Sequence, residues 1–227
     1  SVILFAREKN IENKLVTLDK KEEKNNTFIL PNLEKFKNNI IKFIKLSLLA
    51  FLSISLTALT TETVKEVNVQ NSVVKWTGYK VTGQHEGTIM LKQGALIYNE
   101  NELVGGKFIM DMTTINTTDL EGDYKKKLDG HLKDNDFFGV EKFKTSSLIF
   151  TSVKPNGSNY VVEADLTIKG ITNSVKFNMT VSEDTASADL KIDRTKFDIK
   201  YGSASFFDGL KDRAIYDEFD LNVNLSF

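Results

Sequence analysis

Apolar and polar residues alternate with a period of two through most of the chain beyond residue 72, as they do in strands that turn one face to a core. In SVVKWTGY, Val74 and Trp76 share one face while Lys75 and Thr77 take the other. TIMLKQGALIY reads as a second strand, with Gly94 marking a kink or a turn, and GGKFIMDMTTI as a third. That third strand groups Phe108, Met110 and Met112 opposite Lys107, Ile109 and Asp111. KTSSLIFTSV runs into Pro155-Asn156-Gly157, a strong turn signal, and YVVEADLTI returns from it. Lys169-Gly170-Ile171-Thr172 turns the chain again before SVKFNMTV, and ADLKIDRTKF and YDEFDLNVNLSF complete it. The pattern predicts an all-β domain of about eight strands, most of them joined by short turns.

Successive hairpins favour an antiparallel meander, and eight strands can close into an up-and-down barrel that leaves no edge exposed. A sandwich or a half-open sheet satisfies the same spacing. One stretch breaks the period, TTDLEGDYKKKLDGHLKDNDFF from Thr117 to Phe138. Thr118 and Glu121 have capping-box spacing, and Leu128 and Leu132 lie one turn apart. Gly122 and Gly130 weaken a long helix, so a short helical insertion around 118–133 is expected, placed to cover one mouth of a barrel. The in-facing side chains are large: Trp76, Phe108, Phe150, Phe177 and Phe197 fall in predicted strands. Phe137, Phe138, Phe206 and Phe207 fall at connections, where the pairs either line a tunnel mouth or plug it. A packed core and a cavity for one ligand both fit eight strands.

The first part of the chain is different. Residues 1–65 carry 11 Lys+Arg against 7 Asp+Glu, and residues 66–227 carry 19 against 24, so the net charge of −1 joins a basic leader to an acidic body. Within the leader, LSLLAFLSISLTAL (Leu46–Leu59) is fourteen uncharged residues preceded by Lys35, Lys37, Lys42 and Lys45. It is short of the ~20 residues a membrane span needs, and it matches a signal peptide's basic flank and apolar core. Residues 35–60 are therefore expected to be a signal peptide with Ala58 as its best cleavage candidate, a retained membrane anchor being the alternative, and the mature barrel to be periplasmic or secreted. The polar segment 1–34, rich in Lys, Glu and Asn, is expected to be disordered or to stem from a misplaced start; 66–227 forms the barrel domain.

Reactive chemistry is sparse. The chain has no cysteine and two histidines, which removes disulfides, thiol nucleophiles and zinc–thiolate sites. His131 precedes Asp134 and Asp136, yet one imidazole in a carboxylate-rich loop is a poor start for a metal site. His85, in GQHEG, reads as a turn or strand-end residue. No glycine-flanked serine elbow or phosphate-cradling loop is found, and Lys125-Lys126-Lys127 stands among carboxylates as a solvated face. No catalytic residue, metal or cofactor is assigned, and nucleic acid is not expected as a partner.

The loops carry a resemblance. Trp76-Thr77-Gly78-Tyr79-Lys80, GQHEG (Gly83–Gly87), HLKDNDFFGVEKF (His131–Phe143), LTIKGIT, IDRTKFDIKYGS and IYDEFDLNVNL, in this order, resemble the bacterial YceI-like family over Val73–Phe227. The resemblance implies an exported, lipocalin-like, extended eight-stranded antiparallel barrel. Several members are similar to carriers of polyisoprenoids, whose long chain lies in the central tunnel. On that basis Trp76, Phe108, Met110, Phe137, Phe138, Phe150, Leu166, Ile168, Phe177, Met179, Phe206 and Phe207 are expected to line the tunnel. His85, His131, Asp134, Asp193, Arg194 and Tyr201 are the polar candidates at a mouth or loop, with Asp193–Arg194 or Lys80–Glu86 as head-orienting ion pairs. Gly139 stands where many members have aspartate and is expected to loosen its loop.

The leading function is thus binding, and carriage, of a long-chain isoprenoid or other lipid. Against it stand a structural or stress-related interaction protein with a self-filled barrel and, more weakly, an enzyme on an apolar substrate with His131 as base. The mature domain is not expected to be integral to a membrane; its oligomeric state is open, a dimer included.

Overall fold

A computed structural model describes residues 62–227. The polar segment 1–34, the signal peptide 35–60 and its cleavage position lie outside the described residues.

Nine strands form one antiparallel sheet: β1 (Glu62–Glu66), β2 (Val73–Lys80), β3 (Gly83–Asn99), β4 (Glu102–Thr117), β5 (Thr145–Asn156), β6 (Asn159–Ile168), β7 (Ile171–Val181), β8 (Thr185–Asp193) and β9 (Ile215–Ser226). Strands β2 to β9 pair in sequence and β2 pairs β9, Val73 opposite Asn224 and Gly78 opposite Phe219, so the sheet closes into an eight-stranded barrel. β1 adds no ninth stave. It pairs with the second half of β3, Glu62 opposite Asn99, while β2 pairs with the first half, so β1 and β2 share one edge of a 17-residue strand. ETVKE has only one apolar side chain, Val64, and that one is exposed, which is why alternation does not reveal β1.

The two ends of the barrel differ. At one end β3–β4, β5–β6 and β7–β8 are joined by short turns. Gly157 adopts the left-handed φ of +63° that its two-residue turn demands. At the other end lie the tight β2–β3 and β6–β7 turns and two long connections. One holds the helix α1 (Gly122–Lys133); the other runs from Arg194 to Ala214.

α1 is a single twelve-residue helix, longer than the expected turns, because Gly130 projects into open space and costs only propensity. The capping box is not formed: Glu121 is the N-cap without a side-chain bond, and Thr118 Oγ1 donates to the Glu86 carbonyl instead. The helix is pinned to β4 by Asp129, which accepts from the Thr117 backbone N–H at 2.8 Å and from Lys125 Nζ at 2.6 Å. Leu132 is buried against the barrel.

ADLKIDRTKF is not strand throughout. β8 stops at Asp193, whose carboxylate accepts from Thr195 N (2.9 Å) and Thr195 Oγ1 (2.6 Å), and Arg194–Phe197 curls into a 3-10 turn. A capping aspartate outcompetes the ladder here. Only Met179–Val181 and Ala186–Ala188 pair between β7 and β8, and the 3-10 turn closes the wall beyond, with Asn173 Nδ2 donating to the Lys196 carbonyl. Gly94 is neither kink nor turn but a close approach, since a Cβ there would lie 2.7 Å from the Phe108 ring.

Candidate functional site

Inside the barrel, the end of the short β3–β4 turn is filled by the protein's own side chains. Val67, Leu96, Leu103, Val162 and Ala186 are buried there. None of them borders the cavity of about 180 Å³ that lies in the remaining part of the interior. The barrel is therefore partly packed and partly hollow, and the hollow is blind at one end.

Period-two alternation aims the lining inward. Of the residues expected there, Trp76, Phe108, Met110, Phe137, Phe138, Phe150, Leu166, Ile168, Phe177 and Met179 border the cavity. Phe206 and Phe207 do not: they sit in the Arg194–Ala214 connection, half exposed on the outside. Unexpected lining comes from β8 and β9, notably Ala188, Leu190, Leu221, Val223 and Leu225. Their signal in the sequence is the plain alternation in ADLKI and LNVNL, fainter than that of the bulkier aromatic residues.

Aromatic rings grade the cavity from end to end. Phe108, Phe150 and Phe177 meet at centroid distances of 5.5 and 6.0 Å toward its packed end. Phe137 and Phe138 pack edge to face at 5.2 Å beneath the long connections, and Phe138 meets Phe219 at 6.4 Å. The Trp76 indole lies over Gly87, its partner across the β2–β3 ladder, where a Cβ would collide with the ring. Its Nε1–H donates to the Thr88 carbonyl at 3.3 Å, so the one polar atom of the indole is satisfied without facing the cavity with an unmet donor.

The β2–β9 seam is irregular at one point. Between Gly78–Phe219 and Lys80–Ile215 the β2–β9 register slips, so that Tyr216, Asp217 and Glu218 face only Tyr79. Tyr216 and Glu218 are exposed and also border the cavity, which therefore reaches the surface at this bulge.

Arg194 bolts the bulge from inside. Its side chain is 2% exposed, and it donates from Nη1 to the Ile199 carbonyl (2.7 Å), from Nε to Tyr216 (3.0 Å) and from Nη2 to Ile215 (3.0 Å). One planar guanidinium thus takes up the Ile215 and Tyr216 carbonyls beside the slip together with the Ile199 carbonyl of the connection. Its face covers the Phe137 ring at 5.6 Å. Burial pulls its pKa below the ordinary arginine value, and the neighbouring Asp217 and Asp193 charges oppose that pull. Asp217 lies 3.7 Å from Nη2; burial pushes its carboxyl up, but bonds from Ser203 and Ser205 together with Arg194 outweigh it and hold it below its ordinary value.

The expected ion pairs do not form. Asp193 is spent on Thr195, and Arg194 turns to Asp217 and backbone carbonyls. Lys80 sits opposite Gly83 while Glu86 sits opposite Thr77, too far along the ladder to meet.

Among the remaining polar candidates, none borders the cavity. His85 Nδ1 pairs with Asp119 at 2.8 Å, fixing the β2–β3 turn to the end of β4. His131 is wedged between the rings of Tyr201 (4.4 Å) and Phe137 (5.4 Å), with Asp136 at 3.8 Å. The Asp134 carbonyl accepts from Phe137 N and Gly139 N. Gly139 holds φ +57° and its carbonyl accepts from Lys142 N and Phe143 N, so the glycine suits the loop's conformation rather than loosening it. Among the described residues no three His, Cys, Asp or Glu side chains gather as a metal site.

A closed antiparallel barrel with an apolar interior cavity, a helical insertion over one end and a single buried cation at its wall defines a lipocalin-like class of protein. The chain belongs to the family of the YceI-like domain, whose profile matches residues 65–227. It is 32% identical over 92 residues to a UPF0312 protein of Photorhabdus laumondii and 30% identical over 89 residues to protein YceI of Escherichia coli. These matches span 40% and 39% of the chain and only 46% and 44% of those relatives. In fold it is similar to BcnA of Burkholderia cenocepacia, with a TM-score of 0.55 at 19% identity over 70% of this chain and 98% of that one.

Proposed function

We propose that this protein binds and carries a long-chain isoprenoid or similar amphiphilic lipid in its barrel cavity, as an exported protein acting in the periplasm or beyond. The observation that carries the reading is the blind, almost wholly apolar cavity that reaches the surface at the β9 bulge. A lipid tail gains roughly 0.8 kcal/mol per methylene on leaving water, so such a tube holds a chain without polar contacts. The self-filled barrel describes the far end alone. An enzymatic role for His131 finds no support, since its ring is held between two aromatic residues away from the cavity.

The test is native mass spectrometry of the protein purified from its own cells, followed by lipid extraction, with titration of a fluorescent prenyl alcohol and a fluorescent acyl chain. The single tryptophan lies in the cavity wall, so its emission reports occupancy directly. A co-purifying prenyl or acyl lipid and saturable quenching of Trp76 are expected. No extracted lipid together with no binding of either probe overturns the reading.

A further inference from the structure

Phe206 and Phe207 are the large apolar residues whose expected position the cavity does not account for. They are 50% and 51% exposed although an apolar cavity opens a few residues away. Their outward position is built, not slack. The Ser203 carbonyl accepts from both the Phe206 N–H (3.2 Å) and the Phe207 N–H (3.0 Å), and Ser203 itself is fully buried. Ser205 Oγ donates to Asp217 in the β9 bulge, and the Ile215 N–H donates to the Gly202 carbonyl at 2.8 Å. The loop is thus fastened to the strand whose bulge brings the cavity to the surface.

Around it the same end of the barrel exposes Tyr201, Tyr216 and Val81, the last tied to the connection by its N–H to the Ala214 carbonyl (3.1 Å). The charge balance changes here as well. Between Thr195 and Ala214 four basic residues face three acidic ones, whereas residues 66–227 together carry 19 against 24. Lys200 Nζ sits 5.1 Å over the Phe206 ring. This connection therefore meets an anionic lipid surface without the net repulsion of the acidic domain as a whole, aromatic tips first.

We propose that the Phe206–Phe207 loop is a membrane-docking tip that seats the cavity opening on a lipid bilayer surface. Two fixed aromatic rings enter the interface, and the neighbouring bulge then faces the layer from which an apolar chain departs. The second-copy alternative would cover the same rings with protein, and the experiment separates the two.

The sequence has no cysteine, so Ala204→Cys and, at the opposite end, Ser158→Cys each carry one environment-sensitive fluorophore in the full chain. The label is read on vesicles of phosphatidylcholine with a minor phosphatidylglycerol fraction and no prenyl probe, so the outcome is independent of what the cavity binds. Because the Leu46–Leu59 run is itself apolar, the local label, not bulk binding, is the deciding signal. Expected is a blue shift at 204 and none at 158, with the 204 shift abolished by F206S/F207S in a variant that keeps the parent's Trp76 emission. An unmoved label at 204, equal shifts at both ends, or a shift that survives F206S/F207S overturns the proposal. A shift that grows with protein concentration without vesicles assigns the tip to a second copy and overturns it too.

Discussion

Arg194→Ala removes the side chain that donates to three backbone carbonyls, those of Ile199, Ile215 and Tyr216. An acceptor left unmet in a buried site costs about 1–3 kcal/mol, so three set a ceiling of about 9 kcal/mol. The real loss is smaller. Only the Ile199 bond is fully buried; the bonds to Ile215 and Tyr216 are partly buried, where water replaces much of what is lost. A destabilisation of about 3–5 kcal/mol follows, enough to leave a domain of ordinary stability near its unfolding threshold. Arg194→Lys keeps a positive charge near Asp217 but offers a point donor instead of a planar fork, and less than about half of the loss is recovered. The assay is urea unfolding followed by Trp76 emission and far-UV circular dichroism, with the midpoint shifted at unchanged slope. A loss in Arg194→Ala below about 1 kcal/mol, the size of one neutral hydrogen bond, refutes the bolting of the bulge.

Trp76→Ala widens the cavity wall over Gly87 and is expected to weaken the fluorescent prenyl alcohol by about 1–3 kcal/mol, roughly fivefold or more; unchanged affinity in titration followed by probe emission would place the ligand elsewhere. Gly106→Ala puts a Cβ 2.7 Å from the Phe150 ring and 3.1 Å from the Phe108 ring, and is expected to lower stability by about 1–3 kcal/mol through overpacking, read by thermal unfolding. Asp119, Asp129, Asp217 and Asp220 are all held below the ordinary carboxylate value of 3.8. For Asp119 and Asp129 burial opposes the shift and is outweighed by bonds from His85 and the Glu86 N–H, and from Lys125 and Thr117; for Asp220 the Lys191 bond leads. A depressed folded value means that their stabilisation is fully present above the unfolded value and is lost as pH falls through the folded ones. The urea midpoint should therefore drop steeply below about pH 4, and a flat midpoint there would contradict these pairings.

The staves were legible in the sequence because a half-buried strand must alternate, and the barrel wall obeys that rule from β2 to β9. What alternation cannot distinguish is a hollow interior from a full one, since both need the same inward residues. That depended on how the inward residues pack: Leu96 and Val162 are buried away from the cavity, whereas Trp76 and Phe177 border it. β1 carried no signal, its one apolar side chain being exposed. Adjacent strand residues point to opposite faces, so Asp193 and Arg194 were poor partners from the outset. The turn that redirects Arg194 inward depends on Asp193 capping Thr195, a choice local sequence permits without dictating. Phe206 and Phe207 looked like lining because composition says only that a ring prefers burial; a loop held by backbone bonds overrode that preference.

The β2–β9 pairing joins residues about 150 positions apart, Val73 to Asn224, whereas the β3–β4, β5–β6, β6–β7 and β7–β8 pairs are local hairpins. Closing a long loop costs entropy before its contacts return anything, so the hairpins assemble early and this seam zips late. For that interval the molecule is an open, curved sheet with its greasy face uncovered. A hydrophobic chain nearby can lie down on that face before the last strand sews it in, so the first loading event need not pass through any doorway at all.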